Sequence, residues 1–372
     1  MIAGKVGSFF YRLLPYFLLT GSARPPQPVR MDAMAEPDYR AAAAAGAAAL
    51  QQWYRPWWGL WATTGWWNGA NALTAVIGYT QCTGDDTYAG VIERSFRRAR
   101  LRHRGFTNSY YDDNAWWALA WVAAYDLTRD RRYLQAAQSV FDRNTRGWDS
   151  TCGGGLWWNE DRKYKNAITN ELFLTLAARL HQRAAAGNSY RAWALRTWEW
   201  LRASGMIGTS GLVNDGLTPG CENNGGPTWT YNQGVILGGL AALYEISGDR
   251  GYLEQGESIA GATLAQLAIE PSAGAPGILA EPGEATLAAH GDHTQFKGIF
   301  VRYLGEFWRQ SPRPAYRSFI LANARSIWEN ARNADNQLGF SWAGPFDQPD
   351  ASRQSSALDA LNAAVTVTGN QA

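Results

Sequence analysis

The chain has 372 residues, a net charge of +2 and a hydrophobic content of 46%. The near-neutral charge gives no global attraction to nucleic acid or to an anionic membrane, and the apolar content is ample for one large core. The aromatic content is high, with 19 Trp, 17 Tyr and 13 Phe, and many of these residues lie in Gly-rich segments rather than in apolar periodic ones. That placement indicates a binding surface.

The N-terminal segment differs from the rest of the chain. Residues 1–34 are predicted to be a leader or a disordered extension, followed by a single domain over residues 35–372. The apolar run 9–19 makes a weak signal peptide, which favours a secreted or extracytoplasmic location, whereas translation from Met31 or Met34 would remove it. No later segment has about 18 consecutive uncharged apolar residues, so no membrane-spanning helix is predicted.

Five tight turns, each followed by a tyrosine, organise the chain. The tyrosines are Tyr88, Tyr133, Tyr190, Tyr252 and Tyr316, at intervals of 45, 57, 62 and 64 residues. This degenerate repeat predicts that each turn closes a helical hairpin. The predicted fold is all-α, with no competing series of strands. Its twelve helices are expected at 35–53, 66–82, 86–103, 113–128, 130–144, 166–187, 188–204, 231–247, 249–267, 292–310, 313–332 and 353–368.

Short turns alternate with long loops rich in Gly, Trp, Asn and Asp. The long loops are 54–65, 104–112, 145–165, 205–230, 268–291 and 333–352. In a closed ring of antiparallel helices they all emerge at one end, and loops of this length are usually functional. The helix after each long loop is the more apolar of its pair, which places it in the inner ring. The sequence therefore predicts an (α/α)6 barrel of two concentric rings with one loop-lined cleft.

Two adjacent carboxylates make residues 108–117 the best candidate site. Asp112 and Asp113 stand at the start of a helix that is apolar on nearly every face. One Asp at a helix start is ordinary capping. Two Asp with no Lys or Arg in the next dozen residues leave a charge without a local explanation. Repulsion between two negative charges this close gives the two carboxyls different pKa values, as an acid and base pair requires.

Aromatic, amide and carboxylate side chains are expected to line the cleft beside this pair. Aromatic faces suit the apolar CH faces of a sugar ring, and amides and carboxylates suit its hydroxyls. Each aromatic residue taken alone fits core packing equally well, but the set favours carbohydrate. The predicted substrate-binding residues are Trp66, Trp67, Asn68, Tyr110, Tyr111, Trp157, Trp158, Asn170, Glu171, Asp215, Tyr231, Asn232, Gln233 and Lys297.

Other motifs predict no metal and no cofactor. Trp116 occupies the position of the third Asp of a DDxxD metal cluster, and the pair Asp85 and Asp86 falls in a repeated hairpin turn. His290 and His293 would suit an epimerase built on the same barrel, which stays open as an alternative. No GxSxG, phosphate-binding or dinucleotide fingerprint is present.

The sequence contains three cysteines and one run of basic residues. Cys82, Cys152 and Cys221 are separated by 70 and 69 residues, which fits no zinc spacing, although one bridge between loops is compatible with it. The basic run lies along a predicted helix and is interpreted as a solvated face. Its members are Arg94, Arg97, Arg98, Arg100, Arg102 and Arg104.

Five motifs together carry a family resemblance. They are residues 111–117, residues 152–155 with the following Trp pair, residues 168–173, residues 231–234 and residues 296–302. Over roughly residues 40–365 the chain resembles glycoside hydrolase family 76, the endo-α-1,6-mannanases and their fungal wall relatives. The resemblance implies an (α/α)6 barrel, cleavage of α-1,6 linkages between mannoses with retained stereochemistry, and no metal. The implied partner is a polysaccharide or lipoglycan with an α-1,6-mannose backbone, with no nucleic acid, and the protein is expected to be a monomer.

By this resemblance, Asp112 maps to the nucleophile, Asp113 to the acid/base and Asp215 to an aspartate on the donor side of the cleft. Retaining glycosidases hold their carboxyls about 5–5.5 Å apart. Neighbouring residues, with Cα atoms about 3.8 Å apart, can reach that separation. Asp112 is then expected to be ionised near neutrality and Asp113 to be protonated.

The chain departs from the family pattern in two ways, and two other functions compete with hydrolysis. The weak leader bears on secretion, and residues 363–368 are too short for the lipid-anchor signal of the fungal wall transferases. A transglycosylase would use the same covalent intermediate with a sugar acceptor. A mannan-binding protein without catalysis would use the same barrel, but the presence of both aspartates argues against it.

Overall fold

The computed structural model describes residues 37–185, 189–271, 274, 276–287 and 291–369. The predicted leader, residues 1–34, and His290 lie outside this part of the chain. The described residues form twelve α-helices. They are α1 (Tyr39–Leu50), α2 (Trp66–Thr83), α3 (Ala89–Arg102), α4 (Tyr111–Thr128), α5 (Arg131–Asn144), α6 (Ala167–Arg183), α7 (Tyr190–Ala203), α8 (Thr230–Ser247), α9 (Gly251–Gln266), α10 (Phe296–Gln310), α11 (Pro314–Asn330) and α12 (Ala351–Gly369).

The even-numbered helices form a closed inner ring. Each contacts the next in the order α2, α4, α6, α8, α10 and α12, and α12 returns to α2. They are buried nearly all round, as in α4, where the side chains of Trp117 and Trp121 are inaccessible to solvent. The odd-numbered helices pack outside them. The fold is the predicted (α/α)6 barrel, with its core between the two rings.

Glycines allow the inner helices to approach closely on one side of the ring. A Cβ atom added at Gly298 of α10 would lie 2.2 Å from the backbone oxygen of Ser356 in α12. One added at Gly234 of α8 would lie 2.5 Å from the Cα atom of Phe300 in α10. Both glycines belong to motifs that the sequence singled out, and close helix packing explains why a side chain is absent there.

The long loops meet at one end of the barrel. Tyr110 forms a β-bridge with Asn159, which joins the loop before α4 to the loop before α6. Asn166 forms one with Gly216, which joins the loop before α6 to the loop before α8. The backbone N–H of Ala351 donates to the Thr63 hydroxyl at 2.8 Å, so the last long loop contacts the first. The N-termini of the inner helices open onto these loops.

Some local features differ from the prediction. Two short antiparallel hairpins occur in the long loops, β1 (Tyr54–Arg55) with β2 (Leu60–Trp61) and β3 (Ala268–Ile269) with β4 (Ile278–Leu279). Their strands are too short to produce a readable alternation of apolar and polar residues. The tenth helix begins at Phe296 rather than at 292, because Asp292–Gln295 form a 3₁₀ turn.

One disulfide links two of the long loops. It joins Cys152 to Cys221, and Cys82 is a free thiol within α2. The two nearly equal spacings, 70 and 69 residues, leave the pairing open at the level of sequence. The bridge ties the loop before α6 to the loop before α8.

Candidate active site

Asp112 and Asp113 lie in the first turn of α4, where the positive end of the helix dipole favours carboxylates. Two hydrogen bonds fix the path of the backbone into this turn. The backbone N–H of Tyr111 donates to the Trp158 carbonyl at 2.9 Å, and the Asn144 side chain donates to the Tyr111 carbonyl at 2.7 Å. The position of the carboxyl pair is therefore fixed by the neighbouring loop and by α5.

The two oxygens of Asp112 have different surroundings. Oδ2 accepts a hydrogen bond of 2.9 Å from the indole N–H of Trp158. Oδ1 is buried and has no partner among the described atoms. Burial, and then the neighbouring charge of Asp113, raise the pKa of Asp112 well above its usual range, against the opposing effect of Trp158.

Asp113 is held by Asn108. The Asn108 side chain donates to Asp113 Oδ2 at 2.6 Å, and the Oδ1 atom of Asn108 accepts from the Tyr110 N–H at 2.8 Å. Burial raises the pKa of Asp113 to about 6, the Asn108 hydrogen bond opposes this shift, and the carboxylate of Asp292 adds to it.

Both raised pKa values mean that the pair retains a proton at mildly acidic pH. Burial raises the pKa of both carboxyls, and the assignment of Asp112 as the ionised member and Asp113 as the protonated one stays a prediction. Two carboxyls this close titrate as a unit. One proton shared by the pair is the state that acid and nucleophile chemistry requires.

Near the pair lie buried polar groups of Glu171 and Asn232 that lack hydrogen-bond partners, and we call them the polar floor of the cleft. Both carboxyl oxygens of Glu171 and both polar atoms of the Asn232 side chain are buried without a hydrogen-bond partner in the described structure. Tyr231 stacks on Phe296 at 3.8 Å between ring centroids. Burial raises the pKa of Tyr231, as do carboxylates that surround it, including those of Asp215 and Glu171. Buried groups without partners are rare and indicate places where a ligand or water binds.

Asp215 lies close to Glu171 and Tyr231. It accepts a hydrogen bond from the hydroxyl of Tyr164, which also accepts one from the Asn224 side chain at 3.0 Å. Burial raises the pKa of Asp215, and the Tyr164 hydrogen bond opposes that shift. The charge of Asp215 in turn raises the pKa of Glu171, after the larger effect of burial. These two acidic groups therefore face the same space.

Several aromatic rings pack together near the carboxyl pair. The indole N–H of Trp67 donates to Asp292 at 3.0 Å, and its ring stacks on Trp116 at 5.7 Å between centroids. Trp66 stacks on His103 at 3.6 Å. Tyr110 packs edge-on against Trp158 at 5.0 Å. The rings near the carboxyl pair therefore come from the first turn of α2, from α4 and from the loops before α4 and α6.

Several predicted substrate-binding side chains are satisfied within the protein instead. Asn170 bonds both the N–H and the carbonyl of Leu156, at 2.7 and 3.1 Å. Gln233 bonds both backbone groups of Val213, at 2.8 and 2.7 Å. These amides fix loops, and their donors and acceptors are already in use.

Lys297, Asn68, Trp157 and Tyr111 are likewise engaged. The buried ammonium of Lys297 donates to both oxygens of Glu284 and to the Phe340 carbonyl, so it joins the loop before α10 to the loop before α12. Asn68 donates to Gln295 at 3.0 Å, and the Trp157 N–H donates to Asp149 at 2.7 Å. Tyr111 is buried, and its ring occupies the space that a Cβ atom at Gly147 would need.

Three residues beside the site were not among the predicted contacts: Asn108, Tyr164 and Asp292. Asn108 has a local signal, because an Asn two residues before a helix N-terminus can form an Asx turn. Tyr164 and Asp292 have none, since they reach the site through loop folding. His293, the other candidate of the epimerase alternative, packs against Phe340 at 5.2 Å. Within the described residues, no group of three or more His, Cys, Asp or Glu side chains is placed to hold a metal ion.

A helical barrel with a buried carboxyl pair at the mouth of an aromatic cleft is typical of the glycosidases that use this architecture. The family model described as glycosyl hydrolase family 76 matches residues 39–371. The chain therefore belongs to glycosyl hydrolase family 76.

Fungal proteins are among its curated relatives. The mannan endo-1,6-alpha-mannosidase DCW1 of Candida albicans is 30% identical, over 64% of this chain and 57% of the relative. A putative mannan endo-1,6-alpha-mannosidase of Schizosaccharomyces pombe is 26% identical, over 70% of this chain and 63% of the relative. The chain thus spans about three fifths of the length of these relatives.

Solved structures share the fold. An inactive variant of the alpha-1,6-mannanase GH76A of Salegentibacter sp. HEL1_6, with two consecutive aspartates replaced by alanine, was solved in complex with alpha-1,6-mannotetrose. It aligns with a TM-score of 0.78 at 23% identity, covering 89% of this chain and 100% of the other. Dfg5 from Chaetomium thermophilum, in complex with glucosamine, aligns with a TM-score of 0.78 at 21% identity, covering 88% and 90%.

Proposed function

We propose that the protein is a retaining glycoside hydrolase that cleaves α-1,6-mannosidic linkages inside mannan or a mannose-containing lipoglycan. The observation that carries this proposal is the pair Asp112 and Asp113, adjacent in the first turn of α4 and set in an aromatic cleft. The names of the curated relatives support the linkage. The Salegentibacter variant, inactive without two consecutive aspartates, supports the role of the pair.

Asp112 is the proposed nucleophile. Its Oδ2 atom is held by Trp158, while Oδ1 has no protein donor and is left to attack the anomeric carbon. The transition state of glycoside cleavage resembles an oxocarbenium ion. Positive charge developing beside Asp112 favours its ionised form and moves the proton of the pair to Asp113.

Asp113 is the proposed acid/base. Its pKa, raised by burial to about 6, suits donation of a proton to the leaving oxygen at mildly acidic pH. Formation of the glycosyl ester removes the charge of Asp112, so Asp113 then becomes a base that activates the acceptor. Water as the acceptor gives hydrolysis, and a second sugar gives transglycosylation.

Glu171 and Asn232 are the proposed hydrogen-bonding partners of the bound mannose, because their buried polar atoms lack protein partners. Asp215, oriented by Tyr164, is proposed to bind a sugar hydroxyl on the donor side. Residues 35–372 are proposed to act as one catalytic domain without a metal, as a monomer.

The test is product analysis on linear α-1,6-mannan with purified protein. Shortened oligosaccharides with the retained anomer are expected, and products longer than an oligosaccharide substrate would identify transglycosylation. Asp112→Asn and Asp113→Asn should each lower kcat by about a thousandfold or more while binding persists. The control is Asp161→Asn, an exposed loop position. Release of the inverted anomer, or near-normal activity of either variant, would contradict the proposed mechanism.

A further inference from the structure

The outward face of α3 is strongly basic and not neutralised. Ile92, Phe96 and Ala99 point into the core. Five arginines on or just after the helix are exposed, namely Arg94, Arg97, Arg98, Arg100 and Arg104. Among the described residues, no carboxylate forms an ion pair with any of the five, since the neighbouring Glu93 bonds Arg132 and Tyr133 instead.

Large apolar side chains are exposed on the same face. The described part of the chain has four exposed large hydrophobic residues, and three of them lie on α3 or in the hairpin beside it: Leu101 (81% exposed) on the helix, and Trp57 (61%) and Trp58 (42%) in the hairpin. The hairpin turn that carries Trp57 lies against the helix, because a Cβ atom at Gly59 would be 2.8 Å from the Arg98 Cβ atom.

The arginines and the apolar residues form one continuous surface. Two shallow grooves share Arg97 and Arg98; Trp57 lines one and Leu101 lines the other. A merely solvated face, as the sequence suggested, does not require an exposed Trp and an exposed Leu beside its charges. We call this surface, formed by residues 56–59 and the outward side of α3 up to Arg104, the basic face.

We propose that the basic face docks the protein onto an anionic phospholipid membrane. Guanidinium groups bind phosphate through paired N–H donors, and Trp and Leu enter the interfacial zone of a bilayer. The small net charge of +2 does not oppose this, because a local cluster acts within a Debye length of about 10 Å. No helix in the described ranges has the length and apolar character needed to cross a bilayer.

Docking at this face brings the cleft close to the membrane. The chain continues from the C-terminal end of α3 through residues 103–107 to Asn108, which holds Asp113. The hairpin with Trp57 belongs to another of the long loops that meet at the cleft end. The proposal therefore goes beyond the chemistry of the site, because it concerns where the protein acts.

The test is sedimentation of the full chain with lipid vesicles. We expect binding to vesicles of phosphatidylcholine and phosphatidylglycerol in equal parts, weakened by added salt, and little binding to phosphatidylcholine alone. Arg97→Glu with Arg98→Glu should weaken binding about tenfold or more. Trp57→Ala with Leu101→Ala should also weaken it several-fold. The matched control is Arg191→Glu with Arg250→Glu, exposed arginines of other outer segments, which alters the net charge equally and should bind normally.

Two results would overturn the proposal. Equal loss in the control pair would show that only overall charge matters. Loss with the arginine pair but none with Trp57→Ala and Leu101→Ala would show attraction to charge alone, without entry of Trp and Leu into the bilayer, and would overturn docking by this face. Thermal unfolding of each variant checks folding, so the outcome does not depend on the proposed mannanase activity.

Discussion

Among the described side chains, one donor orients the carboxyl of Asp112, namely the indole N–H of Trp158. Its neighbour on the loop, Trp157, makes the same kind of bond to a different acceptor, Asp149. The two tryptophans are adjacent in sequence, yet only one reaches the catalytic pair. This offers a comparison in which one indole donor at a time is removed from the same loop.

Trp158→Phe should move the acid limb of the pH profile of kcat/KM to higher pH. Loss of the donor raises the pKa of Asp112 further, so a higher pH is needed to ionise the nucleophile. A hydrogen bond to a charged group contributes about 1.5–3 kcal/mol, which corresponds to roughly one to two pH units. Trp157→Phe serves as the control and should keep the limb in place. An unchanged limb in Trp158→Phe would mean that Trp158 does not tune Asp112.

The sequence predicts the carboxyl pair, but it does not show which of the surrounding amide and carboxyl side chains bond to loops and which remain without a partner. Asn170 and Glu171 are adjacent on α6, and Asn232 and Gln233 are adjacent on α8. In each pair one side chain bonds a loop backbone and the other is unpartnered. Which member meets a loop depends on the path of a loop from another hairpin. Propensity and periodicity describe the helix alone, so they carry no information on that path.

The helices were more predictable than the residues between them. Their number and their inner or outer placement follow from the alternation of short and long connections and from apolar character. The last helix, α12, is an instructive case, because Gln354 and Asp359 are buried within it. Gln354 bonds the Leu338 N–H and the Gly46 carbonyl, and Asp359 pairs with Arg302. Burial of such groups is tolerated only with these distant partners, which the sequence does not reveal.

Glycine in the inner ring gives a test at the level of the helix. Gly298→Ala should destabilise the protein by about 3 kcal/mol, at the upper end of overpacking, because the methyl group would meet the backbone of α12. Gly261→Ala in the outer helix α9 meets nothing within 4 Å and should instead stabilise by about 0.5–1 kcal/mol through its helix propensity. Urea unfolding measures both. Equal effects of the two changes would show that close packing of α10 on α12 is unimportant.

At the scale of the whole molecule, the cleft is formed by loops from different hairpins that are linked to one another. Backbone bridges join neighbours, and the disulfide between Cys152 and Cys221 joins the two loops that carry Trp158 and Asp215. Three cysteines allow three pairings, so the sequence could not select this one. A disulfide of this kind is typical of oxidising compartments, which agrees with the extracytoplasmic location that the sequence favoured.

Removing this disulfide should loosen the cleft more than the barrel. Cys152→Ser with Cys221→Ser should lower the free energy of unfolding by about 2–4 kcal/mol, because the bridge closes a long loop of the unfolded chain. KM for α-1,6-mannan should rise more than kcat falls, since Asp215 lies on the released loop before α8, whereas the hydrogen bond from the Tyr111 N–H to the Trp158 carbonyl still holds Trp158 beside the carboxyl pair. Cys82→Ser, a free thiol on α2, is the control and should change neither constant appreciably. Unfolding in denaturant and steady-state kinetics at one pH give the comparison. A fall in kcat with KM unchanged would mean that the bridge supports the carboxyl pair itself, and the loops would then not be the elements that the disulfide positions for substrate binding.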